Sequence, residues 1–248
     1  MRESILDRGE ARMLPAAIDP PIPVAEVFAP QLPAYLEDHY WWAYLRPASL
    51  TVFDHTPVVS AILWGYYNRL KRAAFAEIRP GQRVLQAACV YGDLSPGLAG
   101  LVGGDGRLDV VDIVPLQVAN CRRKLRGFPY AIARLADAAT PGGGPYDAVL
   151  CFFLLHELPD ERKRAVVDAL LGCVAPGGKV IFVDYHRPHS LHPLKPVQNL
   201  VFALLEPFAK RMWQSEITEF ASDSGSFDWR KQTYFGGFFQ RVVVVRPE

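Results

Sequence analysis

The stretch RVLQAACVYGDLS, residues 83–95, decides the fold. A short apolar run followed by a turn of small residues is typical of the first strand and turn of a nucleotide-binding α/β domain. Such turns usually carry glycine where the backbone is tightest, but this chain has Ala88 and Val90 there and keeps only Gly92. Because a cofactor lies against the backbone of this turn, the replacements bear on function as well as on fold.

The rest of the chain repeats an alternation of strand and helix. Four further apolar runs follow, RLDVVDI, YAIAR, DAVLCFFLL and KVIFVDY. Helical or glycine-rich connections separate these runs. This pattern predicts a doubly wound α/β fold with a mainly parallel, seven-stranded sheet. Helical periodicity before residue 83 predicts N-terminal helices, and the ending KQTYFGGFFQRVVVVRPE predicts a C-terminal antiparallel hairpin at the sheet edge.

The chain divides into an arm and one domain. Residues 1–34 are proline-rich and favour an extended arm, whereas residues 35–248 form a single domain. Within the domain we expect a helical cap at 35–80, a cofactor-binding core at 81–187, a helical insertion on the substrate side at 188–230 and terminal strands at 231–248. In the cap, PVVSAILWGYYNRLKRAAFAEI places apolar residues from Ile62 to Ile78 on one broad helical face.

Composition limits the partners and the compartment. Half of the 248 residues are hydrophobic and the formal net charge is +1, so a disordered chain and a nucleic-acid-binding protein are both disfavoured. The four cysteines form no C-x-x-C pair, which indicates a reduced, cytoplasmic setting. No uninterrupted apolar run reaches the roughly 18 residues that cross a bilayer, so we expect a soluble protein or one in peripheral contact with the cytoplasmic face of a membrane.

Carboxylates follow the second and third predicted strands. In doubly wound sheets ligands bind beyond the carboxyl ends of the strands. Asp112 ends the second strand about twenty residues after the turn, where a carboxylate accepts hydrogen bonds from both hydroxyls of a ribose. Asp137 follows the third strand. The alternative for Asp112 is a helix cap at the strand end.

Two longer motifs carry a family resemblance. VVDIVPLQVANCRRKL and YDAVLCFFLLHELPDERKRAVVDALLGCVAPGGKVIFVD, in this order, resemble the class I S-adenosylmethionine-dependent methyltransferases, in particular the branch that methylates quinones. The resemblance implies that Asp112 holds the ribose of S-adenosylmethionine, that Ile113 flanks its adenine, and that Asp137 with Ala138 meets the adenine edge. In the turn, the implied cofactor-binding residues are Gln86, Ala88, Val90, Tyr91 and Gly92.

The turn departs from that family in its charge. Methyltransferases of this class usually have an acidic residue two positions before G-x-G-x-G, where this chain has Gln86. A nearby carboxylate raises the pKa of an amine and so favours the ammonium form of the cofactor's amino group. Gln86 removes that charge, and an unprotonated amine has a lone pair with which to attack. Gln86 therefore predicts an enzyme that uses the amino group of S-adenosylmethionine instead of its methyl group.

A second resemblance points to a reaction. LQAACVYGDLS, together with HYWWAYLRP, ILWGYYNRL and LDVVDI, is similar to the RquA family of rhodoquinone biosynthesis enzymes. That family resemblance implies conversion of ubiquinone to rhodoquinone, in which an amino group from S-adenosylmethionine replaces a ring methoxy group with the help of Mn²⁺. It also implies peripheral contact with the inner membrane, because ubiquinone is dissolved in the bilayer.

Manganese prefers oxygen ligands and accepts imidazole, and such side chains follow the fourth and fifth strands. We predict a metal site at His156, Asp184 and His186. Further candidate ligands are Glu157, His189 and His192. For each histidine the alternative is a hydrogen-bonded structural role.

The predicted catalytic residues are Gln86, Tyr91, Asp93 and His156, with Tyr185 as a further candidate for proton transfer. The aromatic segment HYWWAYL either buries its own helix or forms a lid over the quinone head. The apolar segment 197–213, which contains Pro207, either packs in the core or lines an entrance for the isoprenoid tail at the membrane interface.

Two other functions fit the same frame. A conventional S-adenosylmethionine-dependent methyltransferase would transfer the cofactor methyl group to a quinone or another lipid, which the neutral Gln86 disfavours. A noncatalytic quinone or lipid carrier would need no cofactor residues, which the presence of Asp112 and Asp137 disfavours.

Overall fold

Residues 32–248 are described by a computed structural model, so the expected arm at 1–34 lies almost wholly outside the described residues. The α-helices are α1 (Ala34–His39), α2 (Pro47–Phe53), α3 (Thr56–Ile62), α4 (Tyr67–Phe75), α5 (Leu94–Val102), α6 (Pro115–Lys124), α7 (Asp160–Gly172) and α8 (Lys195–Leu204). The strands are β1 (Arg83–Ala87), β2 (Arg107–Asp112), β3 (Ala131–Leu135), β4 (Tyr146–Phe152), β5 (Val174–Tyr185), β6 (Asp228–Tyr234) and β7 (Phe239–Val245).

The strands form one seven-stranded sheet in the order β3-β2-β1-β4-β5-β7-β6. Strands β1 to β5 pair in parallel, and β7 runs antiparallel to both β5 and β6. The central strands bury side chains on both faces because helices cover the sheet on each side, which explains their continuous apolar runs. The predicted fold class is confirmed, including the C-terminal antiparallel hairpin.

The helical cap departs from the single broad face expected between Ile62 and Ile78. Trp64 and Gly65 have φ angles of 52° and 80°, and this left-handed backbone ends α3 before α4 begins. As a result Ile62 is 48% exposed, whereas Tyr67 at the start of α4 is fully buried. The cap therefore consists of several short helices, with a π-helical turn at Trp41–Leu45.

The apolar segment 197–213 is divided near Pro207, as the proline predicted. Helix α8 ends at Leu204, and a 3-10 turn spans Ala209–Trp213. Among residues 32–248, no helix is long and apolar enough to cross a membrane.

Candidate functional site

A cavity of about 630 Å³ lies beyond the carboxyl ends of β1 and β4, where the strand order reverses. Its volume falls within the range of about 300–1,000 Å³ that small-molecule sites occupy. One wall comes from the turn after β1 and from the ends of β2 and β3. The opposite wall comes from the helical cap, the segment after β4, and α8 with the residues that follow it.

The turn after β1 keeps the backbone path of a glycine turn despite its side chains. Ala88 has a φ of 69°, a left-handed conformation that costs an L-residue about 1–2 kcal/mol. Gly92 has a φ of 78°. Ala88, Val90 and Tyr91 all line the cavity, so the three predicted residues lie at one end of it.

An ion pair outside the turn holds its backbone in place. Asp54 accepts a hydrogen bond from Gly92 N at 2.9 Å and another from Lys124 Nζ at 2.8 Å. Lys124 also donates to the carbonyl oxygens of Val90 and Gly92, at 3.2 and 2.9 Å. Sequence reasoning missed Asp54 and Lys124, which come from the ends of α2 and α6 and carry no local motif.

Gln86 is fully buried beneath the turn and is not among the residues that line the cavity. Its Nε2 donates to the Ala88 carbonyl at 2.8 Å and to Ser95 Oγ at 2.9 Å. Its Oε1 is a buried acceptor without a hydrogen-bond partner among the described residues. The neutral amide of Gln86 therefore holds the turn through two donated hydrogen bonds, and its Oε1 acceptor is unpaired among the described residues.

The residues predicted for the adenosine end lie together on the wall formed by β2 and β3. Asp112, Ile113, Asp137 and Ala138 all line the cavity. Asp112 accepts backbone hydrogen bonds from Cys89 N at 2.7 Å and Val114 N at 2.8 Å. Burial raises the pKa of Asp112 to about 6, although these hydrogen bonds oppose the rise. The carboxylate thus ties the β1 turn to the start of α6, and it still faces the cavity.

Asp137 is paired with a cation that the sequence pattern did not reveal. Arg162 from α7 forms an ion pair with its carboxylate, and Ala139 N donates to it at 2.8 Å. Arg162 also lines the cavity. This pairing fixes the Asp137 side chain at the cavity wall.

On the opposite wall of the cavity, the ionisable side chain of His156 pairs with Asp184. His156 Nδ1 lies 3.0 Å from Asp184 Oδ1, and both side chains are buried. Burial lowers the pKa of His156, but the neighbouring Asp184 outweighs that effect and the pKa rises to about 9. The pair with Asp184 therefore favours the protonated form of His156 at neutral pH.

Two carboxyl groups complete this cluster. Burial raises the pKa of Glu157 to about 7, while His156 and a hydrogen bond from Tyr44 oppose the rise. Burial also raises the pKa of Glu206, whose Oε2 has no hydrogen-bond partner among the described residues. Both carboxyl groups line the cavity. Sequence reasoning missed Glu206 because it follows α8, far from any strand end.

Tyr91 joins the turn to the helical cap. Its hydroxyl donates to the Ala43 carbonyl at 2.5 Å and accepts a hydrogen bond from Gln117 Nε2 at 2.8 Å. Its ring stacks on Tyr44, with ring centroids 5.8 Å apart, and on Phe53 at 6.1 Å. Within the HYWWAYL segment, Trp42 and Tyr44 line the cavity, as the lid hypothesis expects, whereas Tyr40 is buried away from it.

Asp93 lies away from the cavity lining. Its carboxylate accepts hydrogen bonds from Tyr67 at 2.8 Å and Lys71 at 2.6 Å. These two partners lower its pKa against the opposing effect of burial. Asp93 therefore anchors α4 to the start of α5, and the structure does not bring it to the other predicted catalytic residues.

The structure brings two of the predicted metal ligands, His156 and Asp184, together but places the third, His186, elsewhere. Asp184 is engaged with His156 and with Tyr185 N, and does not line the cavity. His186 points elsewhere: its Nδ1 hydrogen-bonds the Gly237 carbonyl at 2.9 Å, and its Nε2 lies 3.7 Å from Glu216. Over residues 32–248, no three His, Cys, Asp or Glu side chains cluster as a metal site. Alternate residues of a strand face opposite ways, but the chain after Tyr185 leaves the strand, so spacing could not orient His186.

Comparisons with known proteins agree with this architecture. Residues 84–178 match the methyltransferase domain family. A demethylmenaquinone methyltransferase from Desulfitobacterium hafniense is 26% identical over 71% of this chain and 71% of its own length. The ubiquinone/menaquinone biosynthesis C-methyltransferase of Shewanella sediminis is 29% identical over 50% of this chain and 52% of its own.

A solved structure shows the same fold. Human N-acetylserotonin methyltransferase, solved in complex with S-adenosylmethionine, superposes with a TM-score of 0.57 and a sequence identity of 12%. The superposition covers 86% of this chain and 62% of the human chain. The domain match covers the central part of the chain, and this structural likeness shows the fold alone.

Proposed function

We propose that this protein converts ubiquinone to rhodoquinone by exchanging a ring methoxy group for the amino group of S-adenosylmethionine. The observation that carries the proposal is the absence of an acidic side chain from the turn after β1. Gln86 stands beneath the turn, and the turn residues that line the cavity, from Ala88 to Tyr91, include no carboxylate. An amine placed there would lack a carboxylate from the turn to favour its protonated form, and Asp112, which meets the turn at Cys89 N, already accepts two backbone hydrogen bonds.

The residues of the cavity fit S-adenosylmethionine. Asp112 and Ile113 would hold the ribose and flank the adenine, with Asp137 and Ala138 at the adenine edge. The neutral amide of Gln86 lies beneath the turn and adds no charge at this end of the cavity. These residues would hold S-adenosylmethionine so that its amino nitrogen bonds to the ring carbon and the methoxy group leaves as methanol. The bond between that nitrogen and the α-carbon of the cofactor would then break by hydrolysis, so that the amino group stays on the ring and water completes the cofactor's carbon skeleton.

The opposite wall suits a quinone. Aromatic and aliphatic side chains, among them Trp42, Phe153 and Leu205, give apolar surface for a ring and its tail. The protonated His156 would donate a hydrogen bond to a quinone oxygen and stabilise negative charge that develops there. Glu157, with a pKa near 7, would take up or release a proton near neutral pH.

Manganese is the one expected group that the described residues do not fit. His156 and Asp184 already pair with each other, and His186 lies with Glu216 outside the cavity. The proposal therefore uses no metal-dependent step, and His156 supplies the positive charge at the quinone oxygen.

A second candidate is C-methylation of a quinone-type substrate. It is favoured by the relatives in menaquinone and ubiquinone biosynthesis, which align with the core of this chain. It requires a substrate carbon that faces the cofactor methyl group, and it gives no role to Gln86.

Isotope labelling separates the two. The protein is incubated with ubiquinone and S-adenosylmethionine that carries ¹⁵N on its amino group, with and without Mn²⁺, and the quinones are analysed by mass spectrometry. We expect ¹⁵N in the ring and loss of one methoxy group. A gain of one methyl group would support the second candidate, and unchanged quinone would support a noncatalytic carrier.

Peripheral contact with a membrane belongs to the same proposal. A substrate with an isoprenoid tail is dissolved in the bilayer, so the cavity mouth has to approach the lipid surface.

A further inference from the structure

Helix α8 carries an unusual concentration of exposed apolar side chains. Among the described residues, five of the nine large apolar side chains that are exposed lie between residues 191 and 205. Val197, Leu200 and Leu204 are 46%, 60% and 71% exposed, and their spacing of three and four residues places them along one face of α8. Leu191, just before the helix, is 85% exposed.

This apolar face continues into the mouth of the cavity. Val201 and Leu205 line the cavity, and Leu205 is also 45% exposed. Ile62 at the end of α3 also lines the cavity and is 48% exposed. Apolar side chains therefore extend from the outer face of α8 to the lining of the cavity.

A basic depression borders α8. A surface depression of about 430 Å³ is lined by Arg187, Lys195, Asn199, Lys210, Trp213 and Gln214, and no acidic side chain lines it. Trp213 is 7% exposed, and its Nε1 donor has no hydrogen-bond partner among the described residues. The depression thus offers three cations, which suit an anionic phosphate.

We propose that α8 docks on an anionic lipid bilayer. In this arrangement the face formed by Val197, Leu200 and Leu204 inserts at the level of the headgroups, and the basic depression takes a lipid phosphate. Helix α8 carries the apolar face and contributes Lys195 and Asn199 to the basic depression, and amphipathic helices that lie in the membrane interface combine apolar and basic surfaces in this way. The inference rests on the proposed isoprenoid quinone as substrate, because docking would place the cavity mouth where the quinone tail emerges.

Vesicle co-sedimentation without turnover tests the surface independently of the reaction. The full chain is mixed with vesicles of phosphatidylcholine alone or of phosphatidylcholine with phosphatidylglycerol. We expect binding to the anionic vesicles that added salt weakens. Leu200→Gln with Leu204→Gln should lower the partition coefficient at least about tenfold. The matched control Ile132→Gln changes an exposed apolar residue on β3 and should bind as the unmodified protein does.

A second pair of variants tests the basic depression. Lys195→Gln with Lys210→Gln should remove the preference for anionic vesicles, whereas Arg126→Gln with Arg230→Gln removes the same charge from other exposed sites and should keep it. Circular dichroism checks that each variant is folded.

Several results would overturn the docking proposal. The first is that the unmodified protein does not bind anionic vesicles. The second is that the leucine variant binds as well as its control, and the third is that both charge variants prefer anionic lipid equally. Activity separates this proposal from the proposed reaction. The leucine variant should keep its turnover of a soluble, tail-free benzoquinone and lose turnover of long-tail ubiquinone in vesicles. If the protein passes the vesicle-binding tests but aminates no quinone, the proposed reaction is refuted and the proposed docking surface is retained.

Discussion

Replacing Asp184 with asparagine tests the ion pair that holds His156 at the cavity. The interacting atoms lie 3.0 Å apart between two buried side chains. Burial lowers the pKa of His156, yet Asp184 outweighs it, and the pKa rises from the ordinary value of 6.5 to about 9. At about 1.4 kcal/mol per pH unit, this difference corresponds to about 3 kcal/mol of folding free energy.

The sign of the effect follows from the raised pKa. Stabilisation by a histidine whose pKa is higher in the folded state is fully present below the unfolded pKa and is lost as the pH rises through the folded pKa. For His156 this window runs from 6.5 to about 9. We therefore expect Asp184→Asn to lower the free energy of unfolding by about 3 kcal/mol more at about pH 6 than at about pH 10.

Urea unfolding at several pH values measures that difference. In a His156→Gln background, Asp184→Asn should lose its pH dependence, because the titrating partner is gone. The same loss of stability at both ends of the pH range would refute the ion pair as described.

Three further predictions concern the turn and the cavity. Gln86→Glu should leave the Kd for S-adenosylmethionine largely unchanged and slow turnover most at low pH; an unaltered pH profile would argue against its role. Ala88→Gly should raise the free energy of unfolding by about 1 kcal/mol by relieving its left-handed backbone, whereas Ala87→Gly in β1 should lower it. Tyr44→Phe removes the hydrogen bond to Glu157, so the apparent pKa of kcat/KM assigned to Glu157 should rise above about 7; an unchanged value would exclude that assignment.

Much of the architecture follows from short-range patterns. Apolar runs bounded by turns predict the strands because buried parallel strands need apolar side chains on both faces. Asp112 and Asp137 could be placed on one wall from sequence because the carboxyl ends of parallel strands meet at the same edge of the sheet.

Other features depend on long-range packing, which local patterns do not encode. Asp54 and Lys124 meet across 70 residues of sequence, and nothing near either residue signals their contact with the turn. Glu206 reaches the cavity only because the chain bends back after α8. His186 was placed near His156 from its position after β5, but the chain leaves the strand there and its ring turns toward Gly237.

The protonation state of the bound cofactor nitrogen tests the central claim most directly. S-adenosylmethionine labelled with ¹⁵N on its amino group is bound to the unmodified protein and to Gln86→Glu, and the ¹⁵N chemical shift is followed with pH. We expect the amino group to be unprotonated at neutral pH when Gln86 is present and to return to the ammonium form in Gln86→Glu. A nitrogen that stays protonated at neutral pH in the unmodified protein would contradict the account.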